Sequence, residues 1–176
     1  EALRSNVRKL IENYNVEVDR WNNRSNKEAN LDDFVSNDNR KIKWSSRLKE
    51  CLQRYQKAKY LEDKIRSSLY RPYCSQNLYF DNILVHRQGQ FPYIFPSSSQ
   101  EEENRIICVS GIGSTKPFQT LMTCKIPSLD FLEKTQCFPF YTYNEDGANR
   151  RENITDWALA QFREHYGDEA ITKWDI

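Results

Sequence analysis

Helical spacing governs the sequence as far as Tyr70 and then stops, and that change of texture is what most limits the fold. Residues 2–21 place Leu3, Val7, Leu10, Tyr14, Val18 and Trp21 three or four apart, which makes one apolar stripe on an amphipathic helix. Residues 22–41 are rich in Asn, Asp, Ser and charge, with Leu31 and Phe34 as anchors, and read as an ordered loop. A second helix is expected after the capping candidates Ser45 and Ser46, with Leu48, Cys51, Leu52, Tyr55, Ala58 and Leu61 on its inner face, ending near Lys59 or Tyr60. Residues 62–65 are expected to add one more turn.

From Tyr70 onward, short aromatic and β-branched runs alternate with Pro, Gly, Asn and Ser. The expected strands are 77–85, 93–95, 105–110, 119–124 and 137–143. Asn144 to Glu152 is polar and contains Gly147. Thr155 or Asp156 caps a helix that runs to Tyr166 with Gly167 after it, and Asp168 starts a further helix. The expected fold class is therefore α+β, with N-terminal helices packed against a mixed, mainly antiparallel sheet and C-terminal helices behind it. The expected divisions are a helical arm and connector (1–39), an α+β domain (40–143), and a linker leading into a helical segment (144–176). The chain begins at Glu1 without an initiator Met, and residues 170–176 read as an unfinished helix, so the expectation is a segment of a longer protein.

Net charge is only +1, from 26 Lys and Arg against 25 Asp and Glu. The total conceals an asymmetry. Residues 1–73 hold 17 basic and 11 acidic side chains, whereas residues 74–176 hold 9 and 14. Residues 40–71 carry 11 basic residues against Glu50, Glu62 and Asp63, a local surplus of +8 that suits either a polyanion or a solvated helix face. No apolar run approaches the roughly 18 residues of a membrane span. The five cysteines form no CxxC pair, which excludes a zinc ribbon or a dithiol redox motif, and Cys51, Cys108, Cys124 and Cys137, set among apolar residues, read as small hydrophobes in a reducing cytosol.

Catalytic chemistry is sparse. His86 and His165 are the only histidines, and the sequence contains no HExxH, Gly-x-Ser-x-Gly or GxxxxGK[ST] motif. Ser110-Gly111-Ile112-Gly113-Ser114-Thr115-Lys116 could present N–H groups, hydroxyls and a cation to a phosphate, but Pro117-Phe118 prevents a nucleotide-binding helix from starting there. It is read as a tight turn or as a loop that touches a nucleic acid. Lys41-Ile42-Lys43-Trp44-Ser45-Ser46-Arg47-Leu48-Lys49 sets cations, an indole and hydroxyls ahead of a helix, a phosphate-binding arrangement if Ser45 or Ser46 caps it. The competing reading makes Trp44 a core anchor and leaves the lysines solvated. Arg71, held extended before Pro72, is aimed at a base edge, a phosphate or a carboxylate such as Asp81.

Five motifs together carry a resemblance. Tyr70-Arg71-Pro72-Tyr73, Leu78-Tyr79-Phe80-Asp81, the run Glu103-Asn104-Arg105-Ile106-Ile107-Cys108-Val109-Ser110-Gly111-Ile112-Gly113, Gln136-Cys137-Phe138-Pro139-Phe140-Tyr141 and Ile154-Thr155-Asp156-Trp157-Ala158-Leu159 occur in this order. They resemble the C-terminal specificity region of Type ISP restriction-modification enzymes, long single bacterial chains also described as DEAD/DEAH-box helicases. The segment with Asn13-Tyr14-Asn15 looks like the one leaving the methyltransferase, and Lys43 through Lys49 is similar to a motif opening the recognition domain. The resemblance implies sequence-specific recognition of double-stranded DNA by a non-catalytic, cytoplasmic, monomeric module. Its partners would be DNA and its own upstream methyltransferase and helicase domains. It implies no cofactor in these residues, with S-adenosylmethionine, ATP and Mg2+ serving the parent chain. It does not single out base contacts, so site residues rest on chemistry: Lys41, Lys43, Arg47, Lys49 and Lys116 for phosphates, with Trp44 and Ser45 beside them, and Arg71, Arg105, Ser114 and Thr115 as base-edge candidates. The rival expectation is a domain that docks on its methyltransferase through the stripe from Leu3 to Trp21.

Overall fold

The computed structural model describes residues 1–36 and 38–176. They form two compact units, Glu1–Ser67 with Gln76–Gly89, and Ser68–Ser75 with Gln90–Ile176.

The first unit is built on helices. α1 (Ala2–Asn22) buries Val7, Ile11, Tyr14, Val18 and Trp21, so Ile11 rather than Leu10 is buried at that turn of the expected stripe. Against it pack the single turn α2 (Leu31–Phe34), Val35 and Ile42, and α3 (Ser46–Gln53), which contributes Leu48, Cys51 and Leu52. Most of the stripe expected as a docking surface is thus covered from within the chain, with Leu3 and Leu10 partly buried.

α3 stops six residues earlier than its apolar spacing suggests. The Gln56 N–H reaches the Cys51 carbonyl (2.9 Å) and the Tyr55 N–H that of Leu52 (3.0 Å), with Tyr55 left-handed at φ +56. This is a Schellman ending with Tyr where glycine is usual. Beyond it the chain is held extended by α1: Asn15 both donates to the Ala58 carbonyl and accepts from its N–H, each at 2.9 Å, and the Tyr14 hydroxyl donates to the Gln56 carbonyl (2.9 Å). Two side chains of α1 therefore outbid local helix propensity. A 3₁₀ turn follows at Glu62–Lys64, as expected for one extra turn.

β1 (Ile65–Arg71) and β2 (Cys74–Tyr79) are neighbours joined by Pro72 and Tyr73. The run expected as strand 77–85 ends early because the Asp81 carboxylate accepts from the N–H groups of Ile83 (2.9 Å) and Leu84 (3.2 Å), turning the chain. His86 lies in the bend after that turn.

In the second unit, residues expected as strand 93–95 form the single turn α4 (Phe91–Ile94), started by Pro92 and closed by the Phe95 N–H on the Phe91 carbonyl (2.8 Å). α5 (Ser98–Glu103) leads into β3 (Ile106–Val109), which pairs antiparallel with β4 (Thr120–Thr123) and, beyond β5 (Ile126–Pro127), with β6 (Gln136–Pro139). β5 runs parallel to β1, with Ser68 opposite Ile126. The 137–143 run divides at Phe140, and β7 (Tyr141–Thr142) forms a hairpin with β8 (Arg151–Glu152) around Gly147 at φ +83. Phe95, Ile106, Cys108, Phe131 and Leu132 are among its buried side chains.

α6 (Asp156–Tyr166) matches expectation at both ends: the Thr155 hydroxyl accepts from the Ala158 N–H, and Gly167 is left-handed at φ +63. The helix expected from Asp168 is absent; residues 168–176 form turns, tied by Asp175 accepting from the Thr172 N–H (2.8 Å). The fold class is α+β, as expected.

Candidate nucleic-acid interface

In the first unit the expected cap forms: the Ser45 hydroxyl accepts from the Leu48 N–H (3.2 Å), so its oxygen satisfies the start of α3. Trp44 faces inward, its indole N–H on the Ser36 carbonyl (2.9 Å) and its ring 6.2 Å from that of Tyr14. Arg47 donates to the Asn82 carbonyl (2.8 Å) and pairs with Glu50 at 3.2 Å, while Lys49 pairs with Asp32. Of the six candidates in this unit, Lys41 and Lys43 remain exposed with no ion pair among the described residues. They flank the buried Ile42, which anchors the segment and turns its lysines outward.

The second unit holds the other candidates, and two of them, Arg71 and Lys116, line a groove of about 760 Å³ together with Gln119, Thr120, Asp130 and Glu133. Arg71 is positioned rather than free. Its Nη1 donates to the carbonyls of Tyr70 (2.9 Å) and Asp130 (3.0 Å), and its guanidinium lies 4.3 Å from the Tyr70 ring centroid. No bond from its Nε or Nη2 occurs among the described residues, so a planar pair of donors stays available. Asp81, proposed as a partner for Arg71, instead caps its own turn.

The Gly111 loop has an internal anion. The Glu133 carboxylate accepts from the Ser114 hydroxyl (2.8 Å), the Thr115 N–H (3.0 Å), the Thr115 hydroxyl (3.0 Å) and the Lys116 N–H (3.2 Å). These are the donors a phosphate would have used. The hydrogen bond from Ser114, with those from Thr115 and Lys116, holds the Glu133 carboxyl below the usual range against the opposing pull of desolvation. The loop also fits closely against the next turn. A Cβ at position 111 would lie 1.9 Å from the Lys134 carbonyl oxygen, Gly113 sits at φ +80, and the Lys134 ammonium donates to the Gly113 carbonyl (2.6 Å). The clamp leaves the Lys116 side chain exposed. Arg105 lies outside the groove lining: its Nη1 donates to the carbonyls of Glu102 (2.9 Å) and Asn104 (2.8 Å) at the end of α5.

The structure therefore brings Arg71 and Lys116 into one groove and adds Gln119, Asp130 and Glu133, which no motif in the sequence marks. Gln119 follows the Pro117-Phe118 break with no motif around it. Glu133 lies 18 residues from Thr115, too far for local spacing to connect them. No helix of the described residues is long and apolar enough to cross a membrane.

A family model for the Type ISP C-terminal specificity domain matches residues 1–176. Among solved structures, the chain is similar to DrdV in its cryoEM complex with DNA (TM-score 0.80, 37% identity, 97% of this chain and 16% of that one). It is also similar to a nuclease-deletion mutant of the Type ISP restriction-modification enzyme LlaGI in complex with a DNA substrate mimic (0.77, 32%, 93% and 15%). The ATP-dependent Type ISP restriction-modification enzyme LlaBIII bound to DNA shares the fold at 20% identity (TM-score 0.72, 97% and 10%). The chain spans about a sixth of the length of the first of these or less. No match was found among curated proteins.

Proposed function

The chain belongs to the Type ISP C-terminal specificity domain family, and on that premise we propose that it is the double-stranded DNA recognition module of a single-chain restriction-modification enzyme. The observation that carries this reading is the groove of the second unit, where Arg71 keeps unpaired guanidinium donors beside Lys116 and the exposed amide of Gln119. Arginine matches the O6 and N7 acceptors of guanine, and glutamine matches N6 and N7 of adenine. Lys116 here, and Lys41 and Lys43 in the first unit, supply phosphate contacts, which give affinity without sequence information. Ser114 and Thr115 shape the loop through Glu133, and Trp44, Ser45, Arg47 and Lys49 hold the segment that presents the lysines. Adenine methylation, ATP-driven movement and cleavage belong to the rest of the parent chain, with S-adenosylmethionine, ATP and Mg2+. The module works as a monomer in the cytoplasm beside its own methyltransferase and helicase domains.

The test has two stages. Methylation mapping with the parent enzyme identifies the target, and duplexes with and without that target then compete for this chain. The expected result is tighter binding of the target, with Arg71→Ala or Gln119→Ala narrowing the difference by about 1–3 kcal/mol at one base pair. Equal retention of target and scrambled duplex would overturn the reading.

A further inference from the structure

Cys108 and Cys137 are directly opposite one another in the β3–β6 pair, and their sulfurs are 3.8 Å apart. The class of this pair follows from its neighbours. The Phe140 N–H donates to the Arg105 carbonyl (2.8 Å), so 105 and 140 form a hydrogen-bonded pair. Alternation along an antiparallel ladder then makes Ile106 with Pro139 a non-hydrogen-bonded pair, a position proline tolerates, Ile107 with Phe138 hydrogen-bonded, and Cys108 with Cys137 non-hydrogen-bonded again. In that class Cα atoms approach to about 4.5 Å, inside the range of about 4.4–6.8 Å that a disulfide spans, so closure asks for side-chain rotation rather than strand movement.

We propose that Cys108 and Cys137 are an oxidative modification site, converted by a peroxide into a reversible cross-strand disulfide. Cys137 reacts first, because it is half-buried while Cys108 is fully buried. The hydrogen bond from Cys108 also favours its thiolate, lowering its pKa against the effect of burial. The Cys137 thiolate attacks the peroxide O–O bond, which breaks to leave a sulfenic acid and, after protonation, one water. The Cys108 sulfur then displaces hydroxide from that sulfenic acid, forming the S–S bond and releasing a second water. Two thiols and one hydrogen peroxide thus give one disulfide and two waters. The bond would close a loop containing Lys116, Gln119 and Glu133, so it stiffens the segment that lines the groove. The other thiols lack this arrangement: Cys51 is buried among helices, Cys74 is exposed and Cys124 is half-buried, with no second sulfur in contact among the described residues. The inference does not depend on the DNA reading.

The test treats the folded 176-residue chain with hydrogen peroxide, alkylates remaining thiols after denaturation, and maps peptides by mass spectrometry. Loss of alkylation at Cys74 reports that the dose reaches a surface thiol. The expected product is one bridged peptide pair containing Cys108 and Cys137, two hydrogens lighter than its parts and released by dithiothreitol, with Cys51 still alkylated. In a Cys108→Ser variant, Cys137 is expected to accumulate as a sulfenic acid trapped by dimedone. If that variant fails to fold, the bridged peptide in the unsubstituted chain still decides. Full alkylation of both thiols at a dose that consumes Cys74, or conversion of Cys137 to sulfinic acid without a bridge, would overturn the proposal.

Discussion

Asn104 is fully buried, and its amide serves four backbone groups at once. It donates to the carbonyls of Ile94 (3.0 Å) and Tyr141 (2.9 Å), and accepts from the N–H groups of Arg105 (2.9 Å) and Tyr141 (2.9 Å). Nothing in the spacing around Asn104 distinguishes it from a turn residue, since apart from its neighbour Arg105 its partners lie 10 and 37 positions away, and its role emerges only once α4, β3 and β7 are in place. Asn104→Ala leaves buried backbone groups without partners and is expected to cost about 2–4 kcal/mol, read as a lower denaturant midpoint at unchanged m-value. Glu133 makes the corresponding argument for charge. Its carboxyl binds a proton less readily in the native loop than in the unfolded chain, where the value is near about 4.3. Its support of the loop is therefore complete above that value and is lost as pH falls through the lower native one. The Thr115 and Lys116 amide resonances are expected to titrate together with a midpoint below about 4.3, and Glu133→Gln to abolish that transition. A midpoint at or above the unfolded value contradicts the clamp.

Elements whose apolar side chains keep one period were legible from the sequence: α1, the start of α3, β3, β4 and both ends of α6. Those that tertiary hydrogen bonds impose were not. β1 buries Arg66 and Ser68 and leaves Tyr70 exposed, so its inward face is polar and the usual alternation is inverted; the Ser68 hydroxyl is satisfied by the Ile126 carbonyl (2.8 Å). The end of α3 is a similar case, because its apolar period continues through Ala58 while Asn15 claims that residue's backbone. Tyr55 is left-handed there at the expense of local strain. Tyr55→Gly removes a conformational penalty of about 1–2 kcal/mol and adds about 0.5–1 kcal/mol of unfolded-state entropy. The expected result is a net gain of roughly 0.5–1 kcal/mol in thermal or denaturant unfolding, whereas loss of stability would show that the aromatic side chain matters more than its backbone.

For the molecule as a whole, the local surplus of +8 in residues 40–71 pointed towards a polyanion, but a count of charges cannot separate cations that face solvent from those that hold the fold. Arg40 pairs with Asp38, Arg47 and Arg54 with Glu50, Lys49 with Asp32 and Lys57 with Asp19, and Arg66 is buried. Several of these acids lie outside the basic segment, which is why the local sum overstated the free charge. Lys41, Lys43 and Lys59 are exposed with no ion pair among the described residues, and Lys116 in the second unit is exposed despite the acidic balance of residues 74–176. This sorting is testable through salt dependence. Each phosphate neutralised contributes about 0.9 to the slope of log affinity against log salt, so replacing Lys41, Lys43 and Lys116 together by Ala is expected to flatten the slope for duplex DNA by roughly 2.7 units. Replacing Lys49 and Lys57, whose ammonium groups are engaged by Asp32 and Asp19, is expected to leave the slope nearly unchanged and to alter stability by at most about 1 kcal/mol each. Were the second pair to flatten the slope as much as the first three, DNA would be reading the whole basic segment, with its internal ion pairs opening on contact.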